Sequence, residues 1–203
     1  MLEKGGMNMK KKGVRLAIAA IFLIAVFNVL AQEQAPAPTY KDGDFWWYRL
    51  AGKIYELTLI GGKLKVYDPK PDQKVEVEGE QAELLGNLVG AGQGQKEFLE
   101  FPLSAGKEWT ARYDTGKSRH TKRGQQEVMR SVVNQVMGIE DVKTPAGTFR
   151  AFKIETREIQ GKKESMSGSL YYSPETRSVV KYEYGRPEKA TKVIELTKFG
   201  SAR

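Results

Sequence analysis

The chain contains no cysteine and a single histidine, His120. The first absence excludes disulfides, thiolate metal centres and cysteine nucleophiles. It also excludes the N-terminal lipid-bearing cysteine of a bacterial lipoprotein. The second leaves any Ser-His-Asp triad or histidine-rich metal site dependent on one imidazole. That imidazole sits among Lys117, Arg119, Lys122 and Arg123, with no adjacent carboxylate to orient it. Long apolar runs are also scarce. The longest, Leu16 to Leu30, has 15 residues and is broken only by Asn28. A membrane-spanning helix needs roughly 18 or more. Helical periodicity is almost missing, and no internal repeat is present.

What is present at the front of the chain is an export signal. Lys10, Lys11, Lys12 and Arg15 form a basic head before the apolar run, and Val29-Leu30-Ala31 gives a small-residue exit before Gln32. Basic head, short apolar core and small-residue exit define a secretory signal peptide over residues 1–31. Retention of that run as an uncleaved anchor is the alternative. Without residues 1–31 the chain would hold 28 Lys+Arg against 24 Asp+Glu, a net of +4 in place of +8. Half of the basicity is thus export signal, and the remainder is no nucleic-acid footprint. The expected destination is the periplasm or the cell exterior, with no membrane span after cleavage. The 172 residues that follow can build a core without disulfide staples.

Residues 32–39 (QEQAPAPT) read as a spacer, and residues 40–200 as one β domain. Short runs rich in Val, Ile, Tyr, Phe and Thr alternate with Gly and Pro, which is strand composition. Phe45–Leu50, Ile54–Ile60, Lys63–Tyr67, Val75–Glu78, Glu97–Phe101 and Trp109–Tyr113 are expected strands. Gly61-Gly62 is a two-residue hairpin turn between two of them. Gln81 to Val89 is the one short helix expected, weakened by Gly86. Over Gln126 to Ile139, Val128, Val132 and Val136 stand four apart, which fits either a helix face or one side of a strand. Ser131-Val132-Val133-Asn134 is poor helix material and favours the strand. Phe149–Ile159, Ser165–Tyr172, Val179–Tyr184 and Thr191–Phe199 complete the set. Val180, Tyr182 and Tyr184 alternate with Lys181 and Glu183, the mark of a half-buried antiparallel strand. The expectation is an all-β, antiparallel fold. Charges on both faces of Phe149–Ile159 (Arg150, Lys153, Glu155, Glu158) count against an outer-membrane barrel.

Several short motifs imitate catalytic ones. Asp114-Thr115-Gly116 is the tripeptide of aspartic proteases, whose chemistry needs two aspartates sharing a proton. One copy would require a homodimer, and Asp and Gly are also ordinary turn formers. Thr115-Gly116-Lys117-Ser118 lacks the earlier glycine of a phosphate loop, since Ala111 stands there. Ser104-Ala105-Gly106-Lys107 has the S-x-x-K spacing of penicillin-binding enzymes, but Pro102 and Gly106 make it a turn. No cofactor or metal site is expected, and the domain reads as non-enzymatic.

Two features carry binding hypotheses. Gly116 to Gly124 holds Lys117, Arg119, Lys122 and Arg123, either a solvated loop or an anion patch. Trp46-Trp47-Tyr48 and Trp109 are large aromatics. Adjacent strand residues face opposite ways, so one of Trp46 and Trp47 is core and the other lies outside or at a rim. Trp46, Tyr48 and Trp109 are the candidate lining of a ligand site, and a two-sheet core is the bland use of the same rings.

Three segments carry a resemblance. Phe101-Pro102-Leu103 leads to Gly106-Lys107-Glu108-Trp109. Val142-Lys143-Thr144-Pro145-Ala146-Gly147-Thr148-Phe149 follows. Tyr171-Tyr172-Ser173-Pro174 leads to Val179-Val180-Lys181 and a last strand at Ile194-Glu195-Leu196. With these the chain resembles a broad group of exported bacterial β-rich domains of no agreed activity. The resemblance implies a single antiparallel β-roll or half-barrel with at most one short helix, comparable in outline to periplasmic lipid carriers. It transfers no catalytic residue. The functional expectation is an envelope protein that binds a lipid or other hydrophobic small molecule on a curved sheet. A structural or interaction module that meets an envelope protein is the alternative, and a dimeric protease built on Asp114 is a third reading.

Overall fold

The computed structural model describes residues 33–70, 73–90, 99–121, 124–160, 163–185 and 191–201. Within these, residues 112–121, 124–130, 160 and 163–166 are described by their backbone alone. The signal peptide lies outside the described residues.

The strands are β1 (Gln34–Ala35), β2 (Phe45–Leu50), β3 (Lys53–Ile60), β4 (Lys63–Lys70) and β5 (Gln73–Glu76). One helix, α1 (Glu80–Val89), separates them from β6 (Leu103–Ser104), β7 (Glu108–Thr121), β8 (Gly124–Thr144) and β9 (Gly147–Gln160). β10 (Lys163–Ser173), β11 (Ser178–Gly185) and β12 (Lys192–Gly200) end the chain. Ten strands form one antiparallel sheet in the order β5-β4-β3-β2-β12-β11-β10-β9-β8-β7, and β1 pairs with β6 alone. The all-β, antiparallel reading holds, with one helix among the described residues. The sheet is open, with β5 and β7 as its edges.

Local chemistry explains the hairpins. Gly61 and Gly62 take φ of 58° and 73°, the doubly positive turn that matches strand twist. Both of their amides donate to the Asp42 carboxylate at 3.0 Å, which fixes the β3–β4 turn to the segment before β2. Pro145 and Ala146 make the β8–β9 turn, where the Ala146 amide donates to Thr144 Oγ1 at 3.2 Å.

The sheet curls over its own interior. β9 and β12 are three places apart in the strand order, yet the Ala146 amide also donates to the Leu196 carbonyl at 3.2 Å. Phe149 meets Phe199 edge-to-face at 5.7 Å. The curl is made with a change of face. β8 slips register between Val136 and Gly138, and in β9 the buried side switches between Ala151 and Phe152, which are both buried. A bulge bends its strand and re-aims the side chains beyond it.

The space inside is filled from the sheet and from its insertions. Leu85, Leu88 and Val89 of α1 are buried, as are Ala35 of β1 and Leu103 of β6. Phe101 packs edge-on against Tyr172 at 5.1 Å. An i, i+4 valine pair, Val132 and Val136, is buried on one side of β8, as a strand requires.

Four sequence expectations change. Residues 34–35, inside the expected spacer, form β1 and bury Ala35. The strand expected over 97–101 is not formed at Leu99–Phe101; pairing begins at Leu103. Asp114 does not end a strand. β7 runs on to Thr121, and its register with β8 is irregular between Asp114 and Ser118. Glu158, counted as a surface charge, is buried on the inner side of β9.

Candidate functional site

Trp46, Tyr48 and Trp109 occupy the interior. Trp46 is 1% exposed, and its indole N–H donates to the Thr176 carbonyl at 2.8 Å. Tyr40 packs edge-on against it at 5.6 Å. Tyr48 is fully buried and donates its hydroxyl to the Val179 carbonyl at 2.8 Å. Burial pushes the Tyr48 hydroxyl pKa upward, so it stays a neutral donor. β2 pairs with β12, so both rings reach across the inner face to the β10–β11 turn and β11. Their polar atoms and their surfaces are used in packing, which leaves no wall of theirs open to a ligand. Trp109 is 6% exposed on the inner side of β7, opposite Asn134 of β8. Lys107 Nζ stands 5.7 Å from its ring centre. Its indole N–H has no hydrogen-bond partner among the described residues.

Lys117 and Arg119 lie on β7, where only the backbone is described, and Lys122 and Arg123 lie outside the described residues. The side chain of Asp114 is likewise outside them. Ser104 and Lys107 bracket a turn, closed by the Lys107 amide on the Ser104 carbonyl at 3.1 Å. Lys107 Nζ is spent on the carbonyls of Glu100 and Pro102, at 2.5 and 3.0 Å. Among the described residues no three His, Asp or Glu side chains gather as metal ligands, and no helix is long and apolar enough to cross a membrane.

An apolar opening is found elsewhere, where the start of α1 meets the ends of β2, β11 and β12. It is a cleft of about 510 Å³ lined by Leu50, Ala51, Glu80, Gln81, Leu84, Tyr184, Lys192 and Val193. Its position follows from the local chain. Ala51 and Gly52 turn the chain from β2 to β3, with Ala51 at a φ of 50°. α1 turns its buried residues, Leu85, Leu88 and Val89, to the core, while Leu84 is only partly buried at the helix flank. Tyr184 stacks on Tyr182 with ring centres 4.7 Å apart, which holds its ring at the cleft. Burial raises the Tyr184 hydroxyl pKa. Val193 is 38% exposed, a large apolar side chain left open at this opening. Glu80 and Lys192 supply charge of both signs.

Sequence reasoning missed this cleft because its lining comes from four separate segments. Each contributes one to three residues, and no single run carries a pattern. The signal that could have found it was Val193, an apolar residue at an outward position of β12 opposite Glu183.

No family model matches the sequence, and no curated protein matches it. Among solved structures the chain is similar to a Bacteroides fragilis protein described as having a YmcC-like fold. The identity is 13% and the TM-score 0.41, over 82% of this chain and 100% of that one. It is also similar to the hypothetical lipoprotein YmcC of Escherichia coli, at 12% identity and a TM-score of 0.38. That match covers 87% of this chain and 96% of the other.

Proposed function

We propose that this is an exported envelope protein, periplasmic or extracellular, that binds rather than catalyses. Its ligand is a lipid-like molecule with one apolar chain, taken into the cleft beside α1. The observation that carries this reading is the cleft itself. Its volume of about 510 Å³ is within the ordinary range for small-ligand sites. Leu50, Ala51, Leu84, Tyr184 and Val193 give it apolar walls, while the inner face of the sheet is filled by its own side chains. Each methylene moved from water into such walls contributes about 0.8 kcal/mol. Glu80, Gln81 and Lys192 suit a polar head held in solvent.

Native mass spectrometry of the protein purified after export tests the reading. The expected result is a reproducible added mass that organic extraction removes. Leu84→Glu should abolish it, because a carboxylate among apolar walls is costly to desolvate. A bare polypeptide mass, together with no binding of a hydrophobic dye, would end this reading. The interaction-module alternative would then stand in its place.

A further inference from the structure

The outer face of the sheet carries a second, chemically different site. Phe45 and Trp47 stand two apart on β2 and share the outward side, opposite buried Trp46 and Tyr48. Lys198 of β12 is the direct cross-strand partner of Trp47. Its ammonium lies 4.9 Å from the Trp47 ring centre and 5.6 Å from that of Phe45. The β4–β5 hairpin supplies the far wall. Phe45, Trp47, Glu56, Lys70, Gln73 and Lys198 are among the residues that line a groove of about 530 Å³.

The charges of this groove are unequal. Glu56, only 7% exposed, is neutralised by Lys74 at 2.7 Å and accepts from Thr58 Oγ1 at 3.0 Å. Lys198 and Lys70 have no carboxylate partner among the described residues. The Lys198 ammonium is positioned by two aromatic rings, an arrangement that leaves its charge available. The aromatic wall is built, too. The ring of Phe45 lies across Gly200, where an added Cβ would stand 2.9 Å from Cζ.

We infer that this groove binds the acidic sugar unit of a glycan, independently of the apolar cleft. The chemistry selects that class. A sugar ring has an apolar C–H face, which suits the Trp47 and Phe45 rings. Its hydroxyls suit the Gln73 amide and the Glu56 carboxylate, and its own carboxylate or phosphate suits Lys198 and Lys70. A free phosphate would make no use of the aromatic walls. An acyl chain would bring no partner for two ammonium groups.

The test is a titration of the protein purified after export with trigalacturonate, followed by tryptophan fluorescence and by calorimetry. Trp46 and Trp109 are buried, so Trp47 is the reporter. A saturable signal is expected, and Trp47→Phe should shift it. Lys198→Ala should weaken binding by about tenfold, the effect of one lost charge-assisted contact. Maltotriose, which lacks the acid, should bind at least about tenfold more weakly on the same grounds. Leu84→Glu should leave trigalacturonate binding unchanged, which separates this site from the cleft. Absence of saturation, equal affinity for maltotriose, or full affinity in a folded Lys198→Ala variant would overturn the inference. Lys198-dependent binding to phosphatidylglycerol vesicles, with no response to trigalacturonate, would overturn it in favour of a lipid headgroup.

Discussion

The two faces of β2 use the same kind of residue for opposite ends. Trp46 and Tyr48 point inward, lose nearly all contact with water and hand their single polar atoms to backbone carbonyls of Thr176 and Val179. Phe45 and Trp47 point outward, keep part of their surface in solvent and hold a lysine ammonium between them. One strand thus carries a core staple and an open aromatic wall, separated only by the period of two. The difference teaches how to tell them apart. An aromatic whose polar edge is satisfied by backbone is architecture. An aromatic that flanks a cation with no carboxylate partner among the described residues still has surface to offer a ligand.

The sharpest way to break this contrast is to truncate the inward tryptophan. Trp46→Ala removes a buried indole and its hydrogen bond, and should cost about 3–5 kcal/mol in urea unfolding. A cost below about 1 kcal/mol would mean that the inner face is loosely packed, as a ligand cavity would be.

The next effect belongs to the residue that leads into β2. Asp44 is fully buried and accepts from Arg177 Nη1 at 2.7 Å, from the Lys41 amide at 2.8 Å and from the Ser201 hydroxyl. Burial pushes its carboxyl pKa up. The Arg177, Ser201 and Lys41 bonds outweigh that and hold it below its ordinary 3.8. A folded value below the unfolded one gives stability that is complete above about pH 4–5 and lost as pH falls through the folded value. Asp44→Asn should therefore cost about 2 kcal/mol near neutral pH, the loss of charge-assisted bonds at a buried site. The gap from the unsubstituted protein should narrow below pH 3.8. A gap independent of pH would show that shape, not charge, sets the contribution of Asp44.

A smaller effect is expected at Tyr48→Phe. The ring stays, and only the hydroxyl on the Val179 carbonyl is lost, for about 1 kcal/mol. Chemical denaturation of the pair resolves that difference. A neutral result would mean that the Val179 carbonyl finds another donor.

These side chains also mark how far the sequence could be read. β2 and its alternation were legible, because period two and aromatic composition act over six neighbouring residues. Gly61-Gly62 and α1 were legible for the same reason: local chemistry decides them. The sequence could show that one of Trp46 and Trp47 faces inward, but not which, since that depends on where α1, β1 and β6 pack. The partner of the Trp46 indole is likewise far along the chain, at Thr176. β1 was read as a spacer because QEQAPAPT has no strand pattern; its pairing with β6 is supplied entirely by Leu103 and Ser104. Glu158 was read as exposed because alternation in β9 changes face at Ala151–Phe152, and no local signal announces that switch. Neither the cleft nor the outer groove could be read, since each gathers its walls from three or more segments.

The finest test of the contrast lies at Gly200. A glycine inside a strand weakens it and often marks the close approach of another group. Here the group is the Phe45 ring, and a Cβ would come within 2.9 Å of it. The backbone at Gly200 is not at positive φ, so alanine meets no backbone strain there. It should gain up to about 0.4–1 kcal/mol from the unfolded chain, offset by moving a ring that solvent can receive. Gly200→Ala should thus leave the melting temperature nearly unchanged, within the range of an ordinary surface substitution. It should still weaken trigalacturonate binding several-fold, because the displaced ring no longer walls the groove or flanks Lys198. A large loss of stability would make Phe45 part of the core and erase the distinction between the two faces. Unchanged binding would remove Phe45 from the site while leaving Trp47 and Lys198 to carry it.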